Sequence, residues 1–269
     1  MKRNARIGAL IRILSDHPSR LYRLGDFCDR FHAARSTISE DLKLAAAILR
    51  ENDLGRIETI PGAAGGVRFV PRISETRCRE IQEELCRRLR DPSRLVGGGF
   101  LYTADIMFDP RLTGDMAEIF ARRFAGCGAD RVVTIETRGV PLALMTARLL
   151  NIPLAVVRRE VRLSEGPTLS INYFSGSANR LRKMSIARRA VEPGSRALLI
   201  DDFMRAGGSL KGISELLAES EVSVCGIGVA IAAVEPETKK VAEFTPLLRL
   251  GEVSEEERRI EISPNIQIF

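Results

Sequence analysis

The chain has 269 residues, of which 45% are hydrophobic and 28% are charged, so it can bury a full core and form more than one domain. No apolar run approaches the ~20 residues that a membrane helix needs, and the charged residues that open the chain do not resemble a signal peptide. These features argue against a membrane partner and predict a cytoplasmic protein.

Nearly all of the net charge of +6 lies in the first quarter of the chain. Residues 1–74 contain 13 Lys and Arg against 8 Asp and Glu, whereas the rest of the chain is close to neutral. A local basic surplus favours a polyanion partner for this segment. The five cysteines are scattered and lack C-x-x-C spacing, so we expect no metal site, a reducing compartment and thiols that are mostly small buried residues.

Three stretches in the first 51 residues carry apolar residues at helical spacing, and they predict three helices. Ser36 is predicted to cap the third helix, which follows a tight turn at Ala33–Arg35. Two strand-like runs, 56–60 and 67–70, then flank a glycine-rich turn. This order predicts a winged helix-turn-helix domain over residues 1–74.

In such a domain the third helix enters the major groove of double-stranded DNA. The candidate DNA contacts are polar residues of that helix, one wing residue and the basic N-terminus: Arg35, Ser36, Thr37, Ser39, Lys43, Arg68, Lys2, Arg3 and Arg6. The alternative is a winged helix that contacts protein and has an ordinary solvated basic face. The local charge and the small polar residues favour DNA.

Residues 75–269 are predicted to form a second domain, which begins with a linker helix over 75–92. A glycine-rich turn, Gly97–Gly99, leads to Tyr102, a candidate binding residue. Helices then alternate with apolar strands, near 132–135, 154–157, 197–200 and 222–231. This alternation predicts an α/β fold with a mostly parallel sheet and ligands at the carboxyl ends of its strands.

Three polar segments follow these strands. Thr137-Arg138-Gly139 comes after the first strand, and Arg158 and Arg159 come after the second. Between the second and third strands, Thr168–Phe174 is strand-like, and it is followed by a basic stretch that is either a lid or a solvated face: Arg180, Arg182, Lys183, Arg188 and Arg189.

The segment Ala197–Ser209 reads as a buried strand, two adjacent acids, a glycine-containing loop and a helix N-terminus. Free N–H groups and the helix dipole favour a phosphate there, and glycines allow its close approach. The acids Asp201 and Asp202 would repel that phosphate, so they are better suited to ribose hydroxyls or a divalent cation.

This segment resembles the 5-phosphoribosyl-1-pyrophosphate (PRPP) loop of type I phosphoribosyltransferases. The resemblance implies that Asp201 and Asp202 contact the ribose, that Thr137, Arg138 and Gly139 meet the diphosphate, and that Ala206, Gly207, Gly208 and Ser209 hold the 5′-phosphate. Phe203, Met204 and Arg205 of the same loop are further effector-binding candidates. Arg158 and Arg159 either contact the effector as well or lie on a solvated surface. The enzymes commonly carry Thr where this chain has Ala206, and no general base is recognisable. We therefore expect no catalytic residue and no enzymatic turnover.

The winged helix, the segment Ser170–Tyr173 and the loop Asp201–Gly208 together resemble the Gram-positive-type purine operon repressors. That resemblance implies a homodimeric repressor of purine biosynthesis genes, with PRPP as inducer and guanosine tetraphosphate as co-repressor, with or without Mg²⁺. Phe203 or Tyr102 would then stack on the guanine, although inward packing of Phe203 is the favoured alternative. The rival functions are an active purine or xanthine phosphoribosyltransferase with a regulatory N-terminus, and a bifunctional regulator.

Overall fold

A computed structural model of the chain describes residues 1–62, 64–160, 166–175 and 180–269. The chain divides into two compact units, Met1–Ser74 with Arg148–Asn151 and Glu75–Ala147 with Ile152–Phe269. Part of the predicted glycine-rich turn, at Ala63, lies outside the described residues. So do Gly176 and Ser177, which precede the predicted basic stretch, and the side chain of Arg180. No helix in the described ranges is both long and apolar enough to cross a bilayer.

The first unit is a winged helix-turn-helix. Its helices are α1 (Arg3–Asp16), α2 (Leu24–Phe31) and α3 (Arg35–Glu51), and its wing pairs β1 (Arg56–Ile60) with β2 (Gly66–Val70) in antiparallel register. Buried apolar residues from all three helices and β2 form one core: Leu10, Leu14, Phe27, Ile38, Leu42, Leu49, Val67 and Phe69. The three helices predicted from apolar spacing are confirmed, and each of them contributes residues to this core.

The predicted cap of α3 is wrong. The helix begins at Arg35, one residue before Ser36, and Ala34 holds the N-cap position without a side-chain hydrogen bond. Ser36 already lies in the first helical turn, so its hydroxyl is exposed on the helix rather than bonded to a free backbone N–H.

The second unit contains a six-stranded sheet. Its elements, in chain order, are α4 (Glu75–Leu89), α5 (Ala104–Met107), α6 (Pro110–Phe124), β3 (Arg131–Ile135), α7 (Val140–Leu150), β4 (Leu154–Val157), β5 (Thr168–Ser175), β6 (Arg180–Ala187), β7 (Arg196–Met204), α8 (Gly208–Ala218), β8 (Ser223–Ala233), β9 (Thr245–Ser254) and β10 (Arg259–Pro264). The strand order is β10-β9-β8-β7-β3-β4, and only β10 runs antiparallel to its neighbour. The predicted mostly parallel sheet is confirmed, whereas β9 and β10 were not predicted.

The central strands β3 and β7 are neighbours, but the chain leaves them in opposite directions. From β3 it passes through α7 to β4 at the sheet edge, and from β7 it passes through α8 to β8 on the other side. Such a reversal opens a crevice at the carboxyl ends of the two strands, where α/β proteins bind ligands. Both predicted ligand loops begin at these ends.

The strands β5 and β6 form a separate hairpin that packs on α8 and contributes Tyr173, Met184 and Ile186 to the core of the second unit. The basic residues of this region that the structure describes are exposed: Arg182, Lys183, Arg188 and Arg189. The first part of the predicted basic stretch is thus strand β6, whose apolar residues pack in the core of the second unit.

Candidate functional site

The crevice between β3 and β7 brings together Arg138 and Asp202, which are distant in sequence. Arg138 Nε lies 3.3 Å from Asp202 Oδ2, and Arg138 Nη1 donates a 3.4 Å hydrogen bond to Thr103 Oγ1. Half of the Arg138 side chain is exposed. The exposed part of the guanidinium can meet an incoming anion while its Nε stays near the carboxylate of Asp202, whose side chain is only 13% exposed.

The two acids of the site are not equivalent. Asp201 is 5% exposed, and its Oδ1 accepts the backbone N–H of Asp202 at 2.9 Å. Burial, and then the charge of Asp202, raise the pKa of Asp201 well above its usual value of 3.8. Asp202 faces the guanidinium of Arg138 instead. One site thus holds a carboxyl that resists ionisation beside a carboxylate with a cationic partner.

Gly139 closes the back of this crevice. A Cβ atom there would lie 2.7 Å from Thr134 Oγ1 and 2.9 Å from Asp201 Oδ1, closer than side chains normally come. Residue 139 must lack a side chain for the loop to pass so close to the buried acid. The sequence indicated a ligand-binding glycine, and the structure adds this packing reason.

The loop from β7 to α8 has the geometry of an anion site. Gly207 adopts φ 81°, in the left-handed region, and α8 starts at Gly208, so the N–H groups of its first turn point out of the helix end. Ser209 is half-buried in that turn, and Arg205 is exposed. The side chain of Met204 is 2% exposed in the core, so only its backbone remains available to a ligand.

The two aromatic candidates are both exposed. Phe203 is 37% exposed, so the favoured alternative of inward packing is wrong. Tyr102 is 50% exposed, and its neighbour Thr103 bonds to Arg138, which places this segment beside the crevice. Each ring has a free surface on which a planar base could stack.

Glu136 is a site residue that the sequence did not suggest. Its carboxylate lies 3.2 Å from Arg158 Nη1 and accepts the backbone N–H of Arg159 at 2.7 Å. It thereby fixes the end of β4 against the loop after β3. An acid directly after a buried strand was a usable signal, whereas nothing in the sequence connected Thr103 to Arg138.

The candidate DNA contacts fall into two groups. Lys2, Arg35, Ser36 and Lys43 are exposed, and Thr37 and Ser39 on α3 are half-buried. By contrast, Arg3 and Arg6 donate to the carboxylate of Asp41, which is 0% exposed, at 3.3 and 2.7 Å. Arg68 pairs with Glu58 across the wing at 2.8 Å.

Arg6 needs a correction. Its side chain is only 12% exposed, and it compensates the charge of a buried acid. Leaving Asp41 for a phosphate would strand that charge in the interior, which is costly. The structure gives Arg6 a role in joining α1 to α3 in place of the predicted DNA contact.

The fold and the crevice define a phosphoribosyltransferase-fold protein that carries a winged helix. Adenine phosphoribosyltransferases from Thermoanaerobacter pseudethanolicus and Rhodothermus marinus share the fold, with TM-scores of 0.53 and 0.52, identities of 20% and 22%, and coverage of 62% and 64% of this chain and 98% and 99% of theirs. A family model for the phosphoribosyl transferase domain matches residues 110–249.

The family model "Bacterial purine repressor, N-terminal" matches residues 2–71. The purine biosynthesis transcriptional repressor PurR of Bacillus subtilis is 39% identical over 97% of this chain and 92% of its own length. The purine biosynthesis transcriptional activator PurR of Lactococcus lactis is 32% identical over 97% of both chains. The chain belongs to the bacterial purine repressor family.

Proposed function

We propose that this protein is a cytoplasmic, homodimeric transcriptional repressor of purine biosynthesis genes that binds operator DNA through its winged helix. The observation that carries the proposal is the 39% identity to a named repressor, because it spans both units. The basic surplus of residues 1–74 and the exposed polar residues at the start of α3 support a DNA partner. One relative is named as an activator, so the direction of regulation needs its own test. Transcription from a target promoter in vitro should fall when the protein is added, and a rise would indicate an activator.

The crevice supports a nucleotide effector. Asp201 and Asp202 offer acceptors to ribose hydroxyls, the start of α8 offers N–H groups to a 5′-phosphate, and Arg138 offers a cation to a diphosphate. PRPP carries all three groups and is the proposed inducer, and guanosine tetraphosphate is the proposed co-repressor. Any Mg²⁺ would be held by the ligand's diphosphate, because Mg²⁺ usually binds through substrate phosphates together with only one or two protein carboxylates.

We propose that the crevice binds PRPP without turning it over. Ala206 stands where the enzymes commonly carry Thr, and it is 8% exposed, with its carbonyl bonded to the backbone N–H of Lys240 at 2.8 Å. The rival function, a purine phosphoribosyltransferase, is favoured by a 33% identity to a xanthine phosphoribosyltransferase of Exiguobacterium, over 46% of this chain and 64% of the enzyme.

Two measurements on the full-length protein test these proposals. The affinity for a fluorescent operator fragment, titrated against salt, should give a log–log slope of about −5 if about six phosphates are contacted, and PRPP should release the fragment. A slope near zero would remove the DNA function. Pyrophosphate release with PRPP, Mg²⁺ and each nucleobase should stay far below ordinary enzyme rates of ~1 s⁻¹, and a rate in that range would establish the enzyme.

A further inference from the structure

Two of the five cysteines lie side by side although 98 residues separate them. Cys127 lies in the turn after α6, Cys225 lies near the start of β8, and their Sγ atoms are 3.4 Å apart. Both thiols are half-buried, whereas Cys78 and Cys86 are buried in α4. Nothing in the amino-acid sequence predicts this pair, because neither cysteine belongs to a spaced motif.

The fold brings the two sulfur atoms together through close packing of α6 on β8. A Cβ atom at Gly226 would lie 2.8 Å from the ring of Phe124, and one at Gly228 would lie 2.8 Å from the ring of Phe120. The absence of side chains at both glycines lets the end of α6 approach the strand. The turn that contains Cys127 therefore lies directly over Cys225.

A bulge aims Cys225 at its partner. In the pairing of β7 with β8, Ala197 is opposite Val224 and Leu198 is opposite Gly226, so Cys225 is an extra residue on its strand. Bulges redirect side chains that a regular strand would place on a fixed face. The pair is thus held by the helix packing on one side and by the bulge on the other.

We propose that Cys127 and Cys225 form a reversible disulfide when the protein meets an oxidised low-molecular-weight thiol such as glutathione disulfide. The sulfur atoms need to approach by only about 1.4 Å to reach the S–S bond length of about 2.05 Å. A cavity of about 690 Å³, lined by both cysteines, Arg123 and Phe244, gives a small disulfide access to the pair.

The order of the exchange follows from the surroundings of Cys225. Burial and the neighbouring Cys127 raise the pKa of Cys225 to about 12, while the guanidinium of Arg196 opposes that rise. Cys225 is thus the poorer first nucleophile, and Cys127 attacks the reagent first, giving up its proton as it forms a mixed disulfide and releases one reduced thiol. Cys225 then loses its proton to solvent and displaces the second thiol, so two protein thiols are oxidised and one reagent disulfide is reduced.

The cross-link would join the end of α6 to the amino end of β8 and close a loop of almost 100 residues. Closing so long a loop restricts the unfolded chain and stabilises the fold. Asp201 and Asp202 lie at the carboxyl end of the parallel strand β7, which is the opposite end of the sheet. The inference is therefore independent of the proposed function.

The test incubates the full-length protein with glutathione disulfide, then counts free thiols after denaturation and maps the disulfide peptides. We expect the count to fall from five to three, a peptide joining Cys127 to Cys225, a melting temperature raised by about 5 °C, and full reversal by dithiothreitol. The Cys28→Ser variant should behave like the wild type, and Cys225→Ser should retain glutathione on Cys127.

Three results would overturn the proposal. They are an unchanged thiol count, a glutathione adduct that persists on wild-type Cys127, and a disulfide that joins two chains. Both Cys→Ser variants are small changes at half-buried positions, and the wild-type count decides the question even if one of them fails to fold.

Discussion

Asp201 is the residue at which stability conflicts with the proposed binding of a ligand. Its carboxyl is buried next to a second acid, so its charged form is unfavourable in the folded chain. The hydrogen bond from the N–H of Asp202 offsets only part of this cost. A position that opposes folding in this way is typical of a binding site, where strained or perturbed groups concentrate.

Asp201→Asn should therefore raise the stability of the protein at neutral pH. The pKa of Asp201 is raised on folding, so the native state binds more protons than the unfolded state above pH 3.8, and stability falls as the pH rises from there through the raised pKa. The amide keeps an oxygen for the N–H of Asp202 but carries no charge. We expect the free energy of unfolding at pH 7 to rise, measured by urea unfolding.

The matched control is Asp202→Asn, which removes a carboxylate that already has the guanidinium of Arg138 as its partner. It relieves the repulsion between the two acids but loses the ion pair with Arg138, so it should bring a smaller gain than Asp201→Asn. In addition, the stability of Asp201→Asn should vary less between pH 4 and pH 7 than that of the wild type. If both variants follow the wild-type pH profile, burial does not hold the proton on Asp201.

Among the elements, α1 and α3 are joined by a buried ion pair. Arg6→Met should lower the free energy of unfolding by roughly 3 kcal/mol, because it leaves the buried carboxylate of Asp41 poorly compensated. Arg3→Met should cost less than about 1 kcal/mol, because the side chain of Arg3 is 53% exposed. Chemical unfolding of both variants measures the difference.

The salt dependence of DNA binding by Arg6→Met distinguishes a structural role of Arg6 from a contact with DNA. Where the protein remains folded, Arg6→Met should keep the salt slope of the wild type, since the side chain is only 12% exposed and is bonded to Asp41. A log–log slope whose magnitude is smaller by about 1 in Arg6→Met than in the wild type would show that Arg6 contacts DNA after all.

The segment after β8 supports the loop between β7 and α8 through Lys239. Its ammonium donates to the carbonyls of Ala233, Val234 and Pro236 at 2.7, 3.0 and 2.5 Å. The next residue donates its backbone N–H to the carbonyl of Ala206, and a Cβ at Gly207 would lie 3.2 Å from Val241. One side chain thus orders the segment on which the loop 203–207 rests.

Lys239→Met should weaken PRPP binding about tenfold, because the loss of charged hydrogen bonds loosens that support. Lys240→Met is the control, since its side chain is exposed and its backbone N–H would still bond to Ala206. Isothermal titration with PRPP compares the two. Equal affinities for both variants would show that the segment does not position the loop.

The fold was predictable where a signal is local in sequence. The strand, acids, loop and helix of 197–209 follow one another along the chain, and so do the three helices and the wing. Contacts between distant residues left no such trace: the bonds of Arg138 to Asp202 and Thr103, and of Arg6 to Asp41, depend on how the elements pack. The exposure of Phe203 was also not predictable from local sequence. Large aromatic rings are usually buried, but this one lies at the end of β7, where less of the fold covers it.

At the scale of the whole molecule, each unit has a core of its own, so ligand binding and DNA binding can be altered separately. A ligand shifts an equilibrium between two states only by the difference in its affinity for them. If PRPP releases operator DNA, it must bind better to the state with low DNA affinity. Any variant that loses this difference must also lose the release.

Asp202→Ala is the sharpest test of this coupling. The change removes a charged acceptor for a ribose hydroxyl, a bond worth ~1.5–3 kcal/mol, so PRPP affinity should fall about 10- to 150-fold. The winged helix is a separate unit, so the variant should bind operator like the wild type but stay bound as PRPP rises. Guanosine tetraphosphate, whose ribose is already substituted at the 3′ position, should lose less affinity. The measurement is an operator titration of both proteins with and without PRPP. Release of the variant at the wild-type PRPP concentration would mean that Asp202 does not contact the ribose, and the assignment of this crevice to PRPP would be wrong.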